Sequence, residues 1–381
     1  MDDNTFNTSF FIDKLSDKDD HEKNLGDDSM GHTDNRSSTV YNGSHKVTNN
    51  GYHKVTNNGY PYNPLYHNDL EIKETFMNIK DVDKHLNDES AEFNPFGLFK
   101  NEKTNRYTYQ TGSNNQYENI TTEEGYALLK KLSEVVKKIN DKFIKENQTN
   151  YKKKLIEAKH IYDTKSNLTK GETWSKDEYN NPAFLLFYCL NKSVQRYTEC
   201  WSAMISAYKY TLINHMFDTK KINVISLAGG PGYEMLAIRD FFSFVSPKTK
   251  LHLTSIDLSE NWKEYVPDNI DFISCDLKEK SCIANESLNN ANIIVISYAW
   301  YMYFKSDHAL NNKLRHLVKQ KNAVVLILER KIDIDYTGFK SLTVTKLYKG
   351  TTKQVILSKS SAKYNKDPLI HQMNYFKTSL K

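Results

Sequence analysis

The residues best suited to chemistry lie in one run: Val224-Ile225-Ser226-Leu227-Ala228-Gly229-Gly230-Pro231-Gly232-Tyr233-Glu234. An apolar, β-rich stretch passes into three glycines and a proline, then into a helical pattern. Glycine has no Cβ, so the backbone there can turn tightly and come close to a ligand. The following helix offers free N–H groups and the positive end of its dipole, which suit a nucleotide or a carboxylate. A plain strand-to-helix turn rarely needs three glycines in four residues. Two acids extend the pattern. Asp257 ends the next β-rich run, 25 residues after Gly232. In nucleotide-binding α/β folds an acid at that place accepts hydrogen bonds from the ribose hydroxyls. Asp276 ends the third run, where a carboxylate can accept from the exocyclic amino group of an adenine. Either acid alone is an ordinary strand terminus. Three successive strand ends with these groups in this order are a far rarer coincidence.

Ser226-Leu227-Ala228-Gly229-Gly230-Pro231-Gly232, Ile256-Asp257-Leu258 and Cys275-Asp276-Leu277 resemble the first three motifs of class I S-adenosylmethionine-dependent methyltransferases. The resemblance covers roughly residues 180–360. It implies S-adenosylmethionine as cofactor and a seven-stranded sheet of order 3-2-1-4-5-7-6 with the seventh strand antiparallel. It is nearly silent on substrate. By that likeness Ala228, Gly229, Gly230 and Gly232 pass under the methionine moiety. Asp257 holds the ribose, Leu258 packs on the adenine, and Asp276 with Leu277 meets the adenine edge. Ser297, at the end of the fourth strand, belongs to the same set. Two positions depart from the family pattern: Ser226 stands where an acid is usual, and Ala228 where a glycine is usual. Glu234, just inside the helix, can supply the missing charge for the methionine ammonium. The alternative is that it only stabilises the helix N-terminus, by about 0.3–1 kcal/mol.

The fourth strand runs into Ile296-Ser297-Tyr298-Ala299-Trp300-Tyr301-Met302-Tyr303-Phe304. It lacks the [DN]-P-P-[YF] pattern of enzymes that methylate adenine or glutamine amides. Its aromatic side chains attract a sulfonium or stack a flat or cationic acceptor; alternatively they pack the next helix against the sheet. The pocket candidates are Tyr298, Trp300 and Tyr301, with Tyr298 favoured. The acceptor is left open between RNA, protein and small molecule. The lone histidines His160 and His215 have no companion at metal-ligand spacing, so no metal is assigned.

These groups need elements to position them. β-rich runs fall at about 222–228, 251–257, 270–275, 292–297 and 323–329, with helices near 233–245, 278–289 and 306–320. Near-continuous apolar strands separated by helices predict a parallel sheet covered on both faces. Two further strands, about 340–348 and 352–359, joined at Lys349-Gly350, predict a terminal antiparallel hairpin. Upstream, Thr121 and Glu124 fit a capping box ahead of an amphipathic helix. A weaker helical stretch spans about 151–163, and Asn181-Pro182 opens a long helix. On that helix Tyr197, Trp201, Tyr208 and Tyr210 form either a lid or the core face, and the apolar spacing of Tyr197, Trp201 and Tyr208 favours the core. Gln195, Arg196 and Glu199 fall between the apolar positions.

The chain has 381 residues, 26% charged and 38% hydrophobic, which is polar for a globular protein. Residues 1–44 hold ten acids and four bases, leaving +11 on the other 337 residues. That excess leans weakly toward an anionic partner. Two copies of HKVTNNGY follow at 45–52 and 53–60, too few for a solenoid. The predicted organisation is a disordered acidic and repeat tail (1–64), an irregular linker (65–120), a helical N-terminal region (121–217), the cofactor-binding core (218–362) and a C-terminal extension (363–381). Four cysteines without paired spacing exclude a disulfide scaffold and a CxxC zinc site. No apolar run reaches the roughly 18 residues of a membrane helix, and the acidic N-terminus does not read as a signal peptide. An intracellular, cytoplasmic protein is therefore expected, and the resemblance implies a methyltransferase. Two competitors stand beside it. A nicotinamide-dependent oxidoreductase shares the glycine turn and the ribose acid, but Met235 falls where its third glycine belongs. A non-catalytic binding protein of the same fold is the other.

Overall fold

The seven runs read as strands share one sheet, because their side chains are apolar on both faces and need cover above and below. The computed structural model describes residues 93–111, 116–164, 174–305, 307–329, 341–345, 353–360 and 363–377. The acidic head, the octapeptide repeat and the Lys349-Gly350 turn lie outside the described residues. Three strands come first: β1 (Phe99–Asn101), β2 (Arg106–Thr111) and β3 (Gln116–Ile120). Helices α1 (Glu123–Glu146), α2 (Tyr151–Thr164), α3 (Lys176–Tyr179) and α4 (Pro182–Lys209) follow. Then come β4 (Lys221–Leu227), α5 (Tyr233–Val245), β5 (Lys250–Asp257), β6 (Asp271–Ser274), α6 (Lys280–Ile283), α7 (Glu286–Asn289) and β7 (Ile293–Ser297). The chain ends with α8 (His308–Lys321), β8 (Val324–Glu329), β9 (Ser341–Thr345), β10 (Lys353–Ser358), α9 (Leu369–Gln372) and β11 (Phe376–Lys377).

The main sheet has the order β6-β5-β4-β7-β8-β10-β9. β4 to β8 pair in parallel, whereas β10 runs antiparallel to both β8 and β9. Counting from β4, this is 3-2-1-4-5-7-6, the topology the sequence motifs imply. Alternate residues of each strand enter two separate cores. Ile222, Val224, Leu326 and Leu328 pack toward α4 and α5. Ile225, Leu227, Val325 and Ile327 pack toward α8 through Leu310, Leu314 and Leu317. Period two on a strand covered on both sides produces this division.

Helix α4 is the central pillar of the first core. Asn181 caps it, its side chain accepting from the N–H groups of Ala183 and Phe184, and Pro182 opens the first turn. Trp201 and Tyr197 are each 1% exposed, so these aromatics belong to the core face. The Trp201 indole N–H donates to the Met373 carbonyl at 2.9 Å, tying α4 to the C-terminal segment.

Several local readings need correction. Residues 99–101, 106–111 and 116–120, within the segment read as an irregular linker, form β1–β3 in a second sheet of order β1-β2-β3-β11. Its last strand comes from the C-terminal extension, a long-range pairing that no local pattern reveals. The cap of α1 is Thr122, which accepts from Gly125 N–H at 3.2 Å. Thr121 instead donates to the Asn374 carbonyl. The helix read over 278–289 divides into the short α6 and α7. Cys275 and Cys282, read without a pairing, form a disulfide with Cα atoms 5.7 Å apart. The turn after β6 folds back through α6 and brings them together.

Asp240 on α5 gathers three helices. Its carboxylate accepts from Tyr197 of α4 at 2.9 Å and Lys131 of α1 at 3.2 Å, and its neighbour Arg239 lies 2.8 Å away. Asp240 is 4% exposed. Removing Asp240 leaves the buried Tyr197 hydroxyl without its acceptor, while Lys131 and Arg239 keep access to solvent. Asp240→Ala should therefore cost about 1–2 kcal/mol and Tyr197→Phe about 1 kcal/mol in urea unfolding. A loss below about 0.5 kcal/mol for Asp240→Ala, the range of an unremarkable surface change, would show that this cluster does not hold the helices together.

Candidate functional site

The strand order reverses direction between β4 and β7, and a crevice opens beyond the carboxyl ends of strands at such a point. A cavity of about 390 Å³ lies there, within the size range of small-molecule sites. Its floor is the turn after β4 and the ends of β5, β6 and β7. Its cover comes from α2, α3 and α4.

The glycine turn is fixed from below and from the side. Gly230 N–H donates to Asp257 Oδ2 at 2.8 Å, and Ser255 Oγ donates to the Gly230 carbonyl at 2.8 Å. A side chain on Gly229 would put its Cβ 2.3 Å from Ser226 Oγ, so β4 and its turn can close only on a glycine. Gly232 caps α5 with φ of 73°. Ala228 also has positive φ, 51°. Its position is therefore a glycine-type position occupied by alanine, at a backbone cost of about 1–2 kcal/mol.

Ser226 and Glu234 meet. Ser226 is fully buried and Glu234 is 2% exposed, and the Ser226 hydroxyl donates to the Glu234 carboxylate. Burial raises the Glu234 pKa, against which the Ser226 bond and Arg196 act. The acid on the helix thus reaches the Ser226 side chain on β4.

Asp257 accepts from Ser259 N–H at 3.2 Å in addition to Gly230. Burial pushes its pKa up to about 6, even though backbone N–H groups favour the charged form. Its raised pKa means that ionisation costs folding stability, a cost that builds as pH rises from its unfolded value near 4 to about 6. Leu258 beside it is 59% exposed and lines the cavity, an apolar face ready for a flat apolar ligand. Asp276 and Leu277 line the same wall, and Asp276 accepts from Lys278 N–H at 2.9 Å. Cys275 N–H donates to the Asp257 carbonyl at 2.8 Å, joining the two strand ends.

The three aromatic candidates after β7 have different settings. Tyr298 has φ of 57°, and its ring lies under the Arg196 guanidinium at 3.8 Å. Its hydroxyl donates to Glu199 at 2.6 Å and accepts from Gln195 at 2.9 Å. The phenol therefore ties β7 to α4 while the ring faces the cavity. Tyr301 also lines the cavity. Trp300 is 2% exposed and stacks on Phe304 at 5.7 Å in the second core, away from the cavity. Ser297 Oγ faces the cavity, buried without a hydrogen-bond partner among the described residues.

Sequence reasoning passed over the cover. Tyr162, Trp174, Tyr188 and Trp262 form an aromatic wall, with Tyr162 stacked on Trp174 at 5.2 Å and Tyr188 edge-on to Trp262 at 5.4 Å. Gln195, Arg196 and Glu199 project from α4 toward the same side. The available signal was the helix itself. A helix apolar nearly all round is buried, so its polar interruptions are buried too.

At the level of the fold, the strand order and the antiparallel β10 are those of class I S-adenosylmethionine-dependent methyltransferases. No family model and no curated protein matches the chain. Three similar solved structures illustrate the range. One is described as a putative S-adenosyl-L-methionine-dependent methyltransferase from Methanococcus maripaludis: 13% identity, TM-score 0.35, covering 50% of this chain and 96% of that one. Another is human methyltransferase-like protein 13 in complex with SAH: 12% identity, TM-score 0.32, covering 46% and 88%. The third is the plantazolicin methyltransferase BpumL in complex with a monoazolic desmethylPZN analog and SAH: 15% identity, TM-score 0.28, covering 50% and 63%. This chain thus spans just under two thirds of BpumL.

The turn geometry makes opposite demands at adjacent positions. Ala228→Gly relieves a left-handed alanine and should raise stability by about 0.5–1 kcal/mol. Gly229→Ala forces atoms into Ser226 and Ser255 and should lower it by about 1–3 kcal/mol. Denaturant titration of the two variants checks the pair. Equal effects would show that the turn does not have this conformation.

Proposed function

We propose that this chain is an S-adenosylmethionine-dependent methyltransferase. The observation that carries the reading is Asp257. A carboxylate at the end of β5 is held by the Gly230 and Ser259 N–H groups with lone pairs to spare, beside an exposed Leu258. When bound, S-adenosylmethionine supplies a methyl group on a positively charged sulfur, which an acceptor lone pair displaces in line.

The chain's own residues fit that ligand. Asp257 accepts the ribose hydroxyls, and Leu258 and Leu277 cover the adenine. Asp276 accepts from its amino group. Ala228, Gly229, Gly230 and Gly232 let the backbone lie close to the methionine moiety. Glu234, aligned by Ser226, supplies the counter-charge for its ammonium. Ser297 keeps a polar atom at the point where donor and acceptor meet. Tyr298 and Tyr301 form the acceptor rim, with the electron-rich face of Tyr298 already holding one cation, Arg196. The work left to the protein is alignment and exclusion of water. A base is needed only if the acceptor loses a proton. The acceptor is RNA, protein or a small molecule. A dinucleotide fits less well, because Met235 fills the place of the third glycine and its methyl would meet a Cβ built on Gly232 at 2.5 Å.

Calorimetric titration with S-adenosylmethionine, its demethylated product and NAD tests the reading. The first two should bind and NAD should not. Asp257→Ala should weaken binding by about 2–3 kcal/mol, and Asp276→Ala by about 1–2 kcal/mol. The ionised carboxylate accepts from two hydroxyls and the protonated one cannot, so affinity should rise with pH through about 6 and then level off. Asp257→Asn should flatten that rise. Tight binding of NAD alone would replace the methyltransferase reading with an oxidoreductase. No binding of any of the three would leave a non-catalytic protein.

A further inference from the structure

The cavity holds a cation that nothing in the described protein neutralises by contact. Arg196 projects from the middle of α4 into the cavity. Its Nη2 donates to the Tyr188 hydroxyl at 3.1 Å, and its plane lies 3.8 Å from the centre of the Tyr298 ring. Its Nη1 is buried with no hydrogen-bond partner among the described residues. The carboxylates nearest in the network are otherwise engaged. Glu199 receives Tyr298 and Gln195, and Glu234 receives Ser226. They and the two tyrosines act on Arg196 through the electrostatic field, but no ion pair joins either of them to it.

Against the cost of its burial, the neighbouring tyrosines and Glu199 favour the charged form of Arg196, yet among the described residues no anion is bonded to it directly. Its fork is shaped to hold a carboxylate through two parallel hydrogen bonds. Here one edge of the fork is taken by a neutral phenol and the other is left open. Stacking on Tyr298 and the bond to Tyr188 fix the plane, so the open donor is preorganised before any ligand arrives. A second donor of the same cavity wall, the Trp174 indole Nε1, is also buried without a partner among the described residues. Trp174 lies one ring away, edge-on to Tyr188 at 6.4 Å.

We propose that Arg196 is the centre of a carboxylate subsite on the helical cover of the cavity. It rests on the methyltransferase reading for the identity of the neighbouring ligand, though not for the presence of the charge. The carboxylate has two possible sources: the amino-acid end of the donor, or a carboxylate-bearing methyl acceptor lodged against the aromatic wall. Both present the same chemistry to Nη1.

Calorimetry on the full chain separates them. The donor arm titrates the demethylated cofactor product and its decarboxylated analogue into the wild type and Arg196→Met. If the donor supplies the carboxylate, the analogue binds the wild type at least about tenfold more weakly, the size of one charged hydrogen bond. Arg196→Met then binds both ligands equally. The acceptor arm titrates benzoate and benzyl alcohol into protein saturated with the demethylated product. If the acceptor supplies the carboxylate, benzoate binds the wild type and benzyl alcohol does not. Benzoate binding is lost in Arg196→Met, while the product's affinity is unchanged. Either pattern supports the subsite. Two ligands discriminated equally by wild type and Arg196→Met, together with no benzoate binding, overturns it.

Folding is controlled separately. Arg196→Met loses the Tyr188 bond and the Tyr298 contact, so a thermal midpoint of the ligand-free protein within a few degrees of the wild type is the control that the fold is kept. Arg196→Lys, which keeps the charge but loses the fork, should retain only part of the carboxylate preference. If no cofactor product binds at all, the functional reading falls. Benzoate titrated into the free protein then still decides whether Arg196 takes a carboxylate.

Discussion

The hydrogen bond from Gly230 N–H to the Asp257 carboxylate links the two strand ends on which the cavity depends. It pins the turn after β4 to the end of β5, while Ser255 holds the Gly230 carbonyl from beneath. The turn cannot rise into the cavity or sink into the sheet while both bonds stand. The same carboxylate borders the cavity beside Leu258. One group therefore shapes the floor and remains available to a ligand. The cost is visible in its raised pKa, since a buried carboxylate resists ionisation unless donors surround it. A ligand with two hydroxyls would add donors to those that Gly230 and Ser259 already supply.

Helix α4 has an analogous double role. Its apolar positions, Trp201 and Tyr197 among them, hold the first core together. Its polar positions, Gln195, Arg196 and Glu199, meet Tyr298 at the end of β7. The network that positions this rim is thus built into an element the fold cannot lose. Tyr298 itself stands in a left-handed conformation, a strain of about 1–3 kcal/mol that its hydroxyl bonds to α4 help to hold. Rigid placement of the aromatic rim follows from the packing of the core rather than from a mobile loop.

Much of the main sheet was legible because each of its elements carries a local signal. β4, β5, β7 and β8 are short, apolar and β-branched, and α5 follows its glycines with the expected period. The short connection expected at Lys349-Gly350 implies an antiparallel pair, which β9 and β10 form. The strand-end residues Gly230, Asp257, Leu258 and Asp276 do border one cavity. What stayed hidden depends on long-range contact. β1–β3 have weak periodicity and are completed by β11 from the far end of the chain. Trp300 and Tyr301 are neighbours in sequence with opposite destinations, one in the second core and one on the cavity. Arg196 falls between the apolar positions of α4, and spacing alone does not show that this interval meets the cavity rather than solvent. Glu234 was legible as a charge but not as the partner of Ser226, a contact set by how α5 returns over β4.

The most direct test of the account is a crystal structure of the protein with the demethylated cofactor product. The account predicts ribose hydroxyls on Asp257, adenine against Leu258 and Leu277, and the ammonium near Glu234 and Ser226. It also predicts the sulfur directed at the space between Ser297 and Tyr298. A ligand bound elsewhere, or one lying in this cavity with Asp257 turned away from its ribose, would contradict it.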